Sequence, residues 1–126
     1  KIDKQIFKQR LAKMLSGDFD LVLAGWGPDY DDPLTFADLF ASFNLNNRGR
    51  YENPEFDKWV RVAQSSQDVQ ERMDAFGEIQ QILFDDVVII PNYERGITYV
   101  THPQMRGMVR RAVGPDPDFT NAYIVE

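Results

Sequence analysis

Cysteine is absent from the chain, which excludes disulfides, thiolate zinc sites and cysteine nucleophiles. There is one histidine, His102, so histidine-pair metal sites are excluded and only carboxylate sites stay open. No stretch reaches the roughly 18 consecutive apolar residues that a membrane-crossing helix needs. Positive charge is in deficit, with 14 Lys and Arg against 20 Asp and Glu and a formal net charge of −6. Such a surface repels phosphate backbones and argues against nucleic acid as a partner. The opening Lys1-Ile2-Asp3-Lys4 carries neither an initiator methionine nor a charged-then-apolar signal pattern. The expectation is therefore that the chain is a piece of a longer protein and that any targeting signal lies outside it.

What is present is ordinary for a folded domain: 43% hydrophobic and 27% charged residues. A length of 126 residues suits one domain and is too short for two. Residues 2–16 read as an amphipathic helix from the spacing of Phe7, Leu11, Met14 and Leu15, closed by Gly17. The apolar run Phe19 to Ala24 reads as a buried strand. Asp32 as N-cap and Pro33 at the first helical position announce a short helix burying Phe36, Leu39, Phe40 and Phe43. Asn53-Pro54 repeats the device for a helix carrying Phe56, Trp59, Val60 and Ala63. Asp68 and Glu71 have the form of a capping box, ahead of the stripe Val69, Met73, Phe76, Ile79, Ile82 and Leu83, read as core packing and ending near Asp85-Asp86.

Val87 to Ile90, Ile97 to Val100, Val109 to Val113 and Ala122 to Val125 read as strands, with connections at His102 to Gly107 and a turn at Gly114 to Pro117. The order of elements is that of a mixed α/β chain. The first 90 or so residues have the makings of a compact unit, whereas about 91–126 are short strands without a core of their own. Those strands are expected to complete a sheet formed partly by sequence elsewhere.

Unusual residue types converge in one place, Gly25-Trp26-Gly27-Pro28-Asp29-Tyr30-Asp31-Asp32-Pro33. Trp26 offers a flat aromatic face, Gly27 lets a ligand approach the backbone, and the aspartates and Tyr30 supply acceptors. A loop beyond the carboxyl end of a buried strand is where open α/β sheets hold ligands. The competing structural reading packs Trp26 and Tyr30 in the core and leaves Asp32 as a cap.

This run resembles the G-W-x-x-D-Y-x-x-P signature of the bacterial extracytoplasmic peptide-, dipeptide- and nickel-binding proteins that feed ABC importers. Gly17 to Leu21 is similar to that family's approach to the motif. Tyr51-x-Asn53-Pro54-Glu55-Phe56-Asp57 and Ile89-Ile90-Pro91-x-Tyr93 follow in order and spacing, so the likeness covers nearly the whole chain. The resemblance implies an α/β, type II periplasmic-binding-protein-like fold with a mixed sheet and flanking helices. This chain would supply part of the C-terminal lobe up to about residue 90, then strands returning toward the N-terminal lobe. It implies a non-catalytic, extracytoplasmic receptor, periplasmic or lipid-anchored, that binds a peptide between lobes and delivers it to a membrane permease, with no cofactor.

Carried over by motif position, Asp29 would take the ligand's α-ammonium group, a charge-assisted bond inside a water-excluding cleft. Backbone groups around Trp26 and Gly27 would bond the extended ligand, and Trp26 and Tyr30 would line the wall. Gly27-Pro28 makes this loop stiffer than the family's usual pair. Nickel complexes, haem or sugars remain alternative solutes on the same scaffold. Two other classes compete: a glycosidase using Asp29, Asp31 and Asp32 or Glu52 and Asp57, and a calcium module on the same aspartates, which lacks the glycine and distal glutamate of an EF-hand. His102 reads as a turn histidine, Arg110-Arg111 as a solvated pair, and Tyr93 and Tyr99 as packing residues. Unpaired strand edges in an isolated segment are expected to promote dimerisation.

Overall fold

The computed structural model describes residues 2–113 and 116–126; the turn expected at Gly114-Pro115 lies outside the described residues. The order of elements is α1 (Phe7–Ser16), α2 (Leu34–Ala37) running into a 3-10 turn (Asp38–Phe40), α3 (Pro54–Ser65), α4 (Val69–Asp85), β1 (Met105–Arg106) and β2 (Tyr123–Ile124). The chain falls into two compact units, Lys1–Gly27 with Asp32–Ile89, and Pro28–Asp31 with Ile90–Glu126.

The core of the first unit lies between α3 and α4. Phe56, Val60 and Ala63 of α3 and Ala75, Phe76 and Ile79 of α4 are buried, joined by Ala37 and Ala41. Small residues at Ala63 and Ala75, both fully buried, leave room for the two helices to approach. Tyr51 closes one end, its ring edge-on to Phe56 at 5.6 Å between centroids. α3 starts as its sequence dictates: Asn53 Oδ1 accepts the N–H groups of Glu55 and Phe56, with Pro54 at the first helical position. At the start of α4 the Glu71 N–H donates to Asp68 Oδ1 at 2.9 Å. The return half of the capping box runs through Ser66, whose hydroxyl bonds Glu71 and accepts the Asp68 N–H.

Several expectations need correction. The first helix begins at Phe7, since nothing caps residues 2–6, and it buries Met14 while Phe7 and Leu15 stay exposed. Phe36 and Phe43 are exposed; Thr35 and Ala37 are the buried residues of α2. Val69 and Met73 are also exposed, because α4 turns Ala75, Phe76 and Ile79 toward α3.

The strands fare worst. Residues 19–24, 87–90 and 97–100 form no ladder among the described residues. A β-branched apolar run becomes a strand only when a neighbour accepts its backbone groups, and none of these segments has one here. Val109 makes a single bridge to Asp118, and of 122–125 only Tyr123 and Ile124 pair. The stretch taken for a plain connection, His102 to Gly107, contains β1.

In the second unit β1 and β2 pair antiparallel, Met105 opposite Ile124 and Arg106 opposite Tyr123. Gly107, at φ 73°, is required there: a Cβ would sit 1.9 Å from the Asn121 carbonyl oxygen. Asp116 gathers the Arg110 guanidinium at 2.8 and 3.0 Å and the Tyr99 hydroxyl at 2.7 Å. Arg110 also stacks over the Tyr99 ring. Arg111 pairs with Asp118 at 2.6 Å, so both arginines of the expected solvated pair are ion-paired. Arg110, then Tyr99, holds the Asp116 carboxyl well below the usual carboxylate range. The Thr120 hydroxyl and N–H, followed by Arg111, do the same for Asp118. His102 is an exposed turn residue whose Nδ1 accepts the Gln104 N–H at 3.3 Å.

α4 ends on a strained residue. Val87 takes φ 50°, the left-handed conformation, while Val88 N–H bonds the Leu83 carbonyl. A β-branched residue there clashes with its own backbone at about 1–2 kcal/mol. The Val87 side chain is 64% exposed and contributes little packing. Val87→Gly is expected to stabilise the chain by about 1 kcal/mol, read as a raised midpoint in urea unfolding.

Candidate functional site

The loop Gly25–Pro33 follows the extended segment 19–24, which α1 holds through a bond from Arg10 Nη1 to the Leu23 carbonyl at 3.0 Å. α1 is anchored in turn by Arg50, whose guanidinium reaches the Ser16 carbonyl at 2.8 Å and covers Gly17. A cation on the last carbonyls of a helix suits its dipole.

Four residues were singled out in this loop. Trp26 is 37% and Tyr30 46% exposed, and Gly27 and Asp29 are exposed as well. The competing reading that buries Trp26 and Tyr30 in the core therefore does not hold. Trp26 and Gly27 belong to the first compact unit, Asp29 and Tyr30 to the second.

Gly27 is informative. Its φ is not positive, and a Cβ placed on it would meet nothing within 4 Å among the described residues. Neither backbone conformation nor internal packing calls for glycine there.

At the far foot of the loop Asp32 is fully engaged. Its Oδ1 accepts the Leu34 N–H at 2.9 Å, the capping role expected from the sequence. Its Oδ2 accepts from Arg72 Nη2 at 2.7 Å, in a pair only 25% and 27% exposed. Arg72, then the Leu34 N–H, holds the Asp32 carboxyl below its ordinary range. Spacing gives no signal for Arg72, because it lies 40 residues away on α4 and so distant a pair leaves no local pattern.

The Tyr51 to Asp57 motif proves to be architectural. Asp86, at the end of α4, accepts from the Tyr51 hydroxyl and from Asn53 Nδ2. Burial, with the Asp86 carboxylate accepting its proton, pushes the Tyr51 phenol up to about 12. Asp57 accepts the Ser42 N–H at 2.8 Å and the Ser42 hydroxyl. With Asp32 and Asp57 so engaged, the carboxylates proposed for a glycosidase pair or a calcium loop lose two of their members. An open apolar groove of about 340 Å³ lies elsewhere in the first unit, lined by Phe36, Phe40, Phe76, Ile79, Leu83 and Ile89 among others.

No family model matches the chain. The periplasmic oligopeptide-binding protein OppA of Haemophilus influenzae is 30% identical over 130 residues, covering all of this chain and 23% of that protein. Among solved structures, the substrate-binding domain of an oligopeptide ABC transporter from Bacillus anthracis superposes with a TM-score of 0.88 at 30% identity, covering all of this chain and 25% of that one. Listeria monocytogenes OppA, solved bound to peptide, gives 0.81 at 35% identity over 95% of this chain and 22% of its own. The chain thus spans about a quarter of the length of these relatives.

The fold is that of the type II periplasmic-binding-protein class, here as a helix-rich α/β segment with a small sheet. The chain belongs to the extracytoplasmic peptide-binding proteins of ABC importers.

The ion pair at the foot of the loop has a pH signature. Because the folded Asp32 carboxyl titrates below its unfolded value of about 3.9, its contribution is present above that pH and is lost as pH falls through the folded value. Asp32→Asn keeps an oxygen for the Leu34 N–H and removes both the charge and the acceptor that face Arg72. Its thermal midpoint is expected to lie below that of the parent by the equivalent of about 1 kcal/mol at pH 7. The gap should narrow as pH falls below the unfolded carboxylate value and close once pH has passed through the lower folded one; calorimetric scans across the acid range measure it.

Proposed function

We propose that this chain is one portion of a two-lobed receptor that binds peptides outside the cytoplasm and passes them to an ABC permease, without catalysis. Residues up to about 90 form part of the C-terminal lobe, and about 91–126 are strands returning toward the N-terminal lobe. Asp29 takes the ligand's α-ammonium group, backbone groups around Trp26 and Gly27 bond the extended ligand chain, and Trp26 and Tyr30 line the wall. The observation that carries this reading is the loop itself. It is exposed and brings together an aromatic, a carboxylate and a glycine with open space beside it among the described residues.

An α-amine is cationic at neutral pH, and a carboxylate beside it fixes the register of a peptide whatever its side chains. Desolvation offsets much of the attraction, so such a pair contributes more to orientation than to affinity. Affinity comes from main-chain bonds, which every peptide offers. The unpaired runs 19–24, 87–90 and 97–100 fit a portion whose sheet partners lie elsewhere in the same polypeptide.

Calorimetry on the full-length polypeptide carrying this segment tests the assignment. Trialanine is expected to bind at least about tenfold more tightly than its N-acetyl form, and Asp29→Asn to abolish that preference. Gly27→Ala is expected to leave the thermal midpoint unchanged and to weaken both peptides. Equal affinities for the free and acetylated peptide would remove Asp29 from the role.

The segment on its own has exposed apolar surface and unpaired edges, which supports self-association. Sedimentation equilibrium of the 126-residue chain is expected to show a dimer; a monomer throughout the micromolar range would refute it.

A further inference from the structure

We infer that Arg72, a residue of α4 outside the loop, is the positioning residue that fixes the foot of the ligand-binding loop. The inference rests on the peptide-binding reading of that loop. One guanidinium serves two helix ends. Arg72 Nε donates to the Ala63 carbonyl at 2.9 Å, and Nη2 donates to Asp32 Oδ2 at 2.7 Å. Ala63 lies in the last turn of α3, where carbonyls have no partner within the helix and a cation is favoured. Asp32 in turn holds the first N–H of α2. The guanidinium carbon stands 5.6 Å from the centroid of the Phe76 ring, and Phe76 is a core residue of the same helix.

Arg72 is therefore seated on the α3–α4 core and reaches from it to the loop. Its planar fork supplies two directed donors, which a lysine ammonium on a flexible stem does not reproduce. Asp32 is three residues beyond Asp29 in the chain, so a fixed Asp32 confines Asp29 to within about 11 Å of it. Without the tether the loop's downstream foot rests on a four-residue helix, α2, which has little stability of its own. A loop that must be ordered again for each ligand binds more weakly, because the ordering entropy then falls on binding.

Two measurements test this. In hydrogen exchange of the 126-residue chain, Arg72→Ala is expected to accelerate the amides of Gly25, Trp26, Gly27 and Asp31 by about tenfold, leaving Val60 and Phe56 within about twofold. In calorimetry on the full-length polypeptide carrying the segment, Arg72→Ala is expected to raise the Kd for trialanine roughly tenfold, with Arg72→Lys recovering part of the loss. Unchanged loop exchange, acceleration equal at Val60, or an unchanged Kd with a loosened loop would each overturn the inference. Failure of the unsubstituted protein to bind trialanine would count against the peptide reading instead, and the exchange result would still decide whether Arg72 holds the loop.

Discussion

Contact between α3 and α4 is the constraint on which the first unit depends. Phe56, Val60 and Ala63 on one side and Ala75, Phe76 and Ile79 on the other exclude water along the seam. Each of these helices is only three to five turns long, 12 and 17 residues, and short helices are marginal in water by themselves. Their stability comes from the buried stripe they share. The α2 region attaches to this pair: Ala37 and Ala41 enter the same cluster, with Phe40 and Leu34 packed at its margin.

Polar ties close the seam at its ends, and each of them relieves an electrostatic problem that helix termini create. An aspartate at the negative end of α4 is unfavourable where it stands. Asp86 is relieved there by the Tyr51 hydroxyl and the Asn53 amide, beside the electropositive start of α3. Asn53 makes full use of its amide, with the oxygen on two backbone N–H groups and the nitrogen on Asp86. Asn47 then clamps Tyr51 from the other side, accepting its N–H at 3.0 Å and donating to its carbonyl at 2.7 Å. At the end of α3 the open carbonyl of Ala63 receives Arg72. The family-like motif from Tyr51 to Asp57 therefore encodes a junction between helices.

The helices were legible in the sequence because their signals are local. Asn53-Pro54, Asp68-x-x-Glu71 and Gly17 act within one turn of where they stand, and the structure uses each of them. Burial was less legible: a stripe such as Val69, Met73, Phe76, Ile79 shows which face is apolar and does not show how far the partner helix extends. α4 turns Ala75, Phe76 and Ile79 toward α3 and leaves Val69 and Met73, at the edge of the stripe, in water. Strands were the least legible, since a β-branched run states only a preference and the ladder depends on a second segment. Met105 and Arg106, with no such composition, form β1 because Tyr123 and Ile124 lie opposite. In the loop, sequence alone singled out Trp26, Gly27, Asp29 and Tyr30, and it gave Asp32 its capping role. Arg72 was invisible, because an ion pair across 40 residues leaves no pattern in either partner's neighbourhood.

The loop and its support divide the physical work between them. Its support is made of groups whose hydrogen-bonding capacity is satisfied internally: Asp32 by Leu34 and Arg72, Asp57 by Ser42, Asp86 by Tyr51 and Asn53. Such groups have little left to offer a ligand, and moving any of them leaves hydrogen-bonding partners unsatisfied, the Arg72 guanidinium among them for Asp32. The tip carries Trp26, Gly27, Asp29 and Tyr30 at the surface, on a stretch stiffened by Pro28 and Pro33. Under the proposed function, a receptor that accepts many peptides would gain from rigid support beneath an exposed loop. Rigid attachment lowers the entropy lost on binding, and exposed main chain recognises what all peptides share. Under the proposed function, selectivity for one end of the ligand would need a single charged group, the role assigned there to Asp29, three residues before the anchored Asp32.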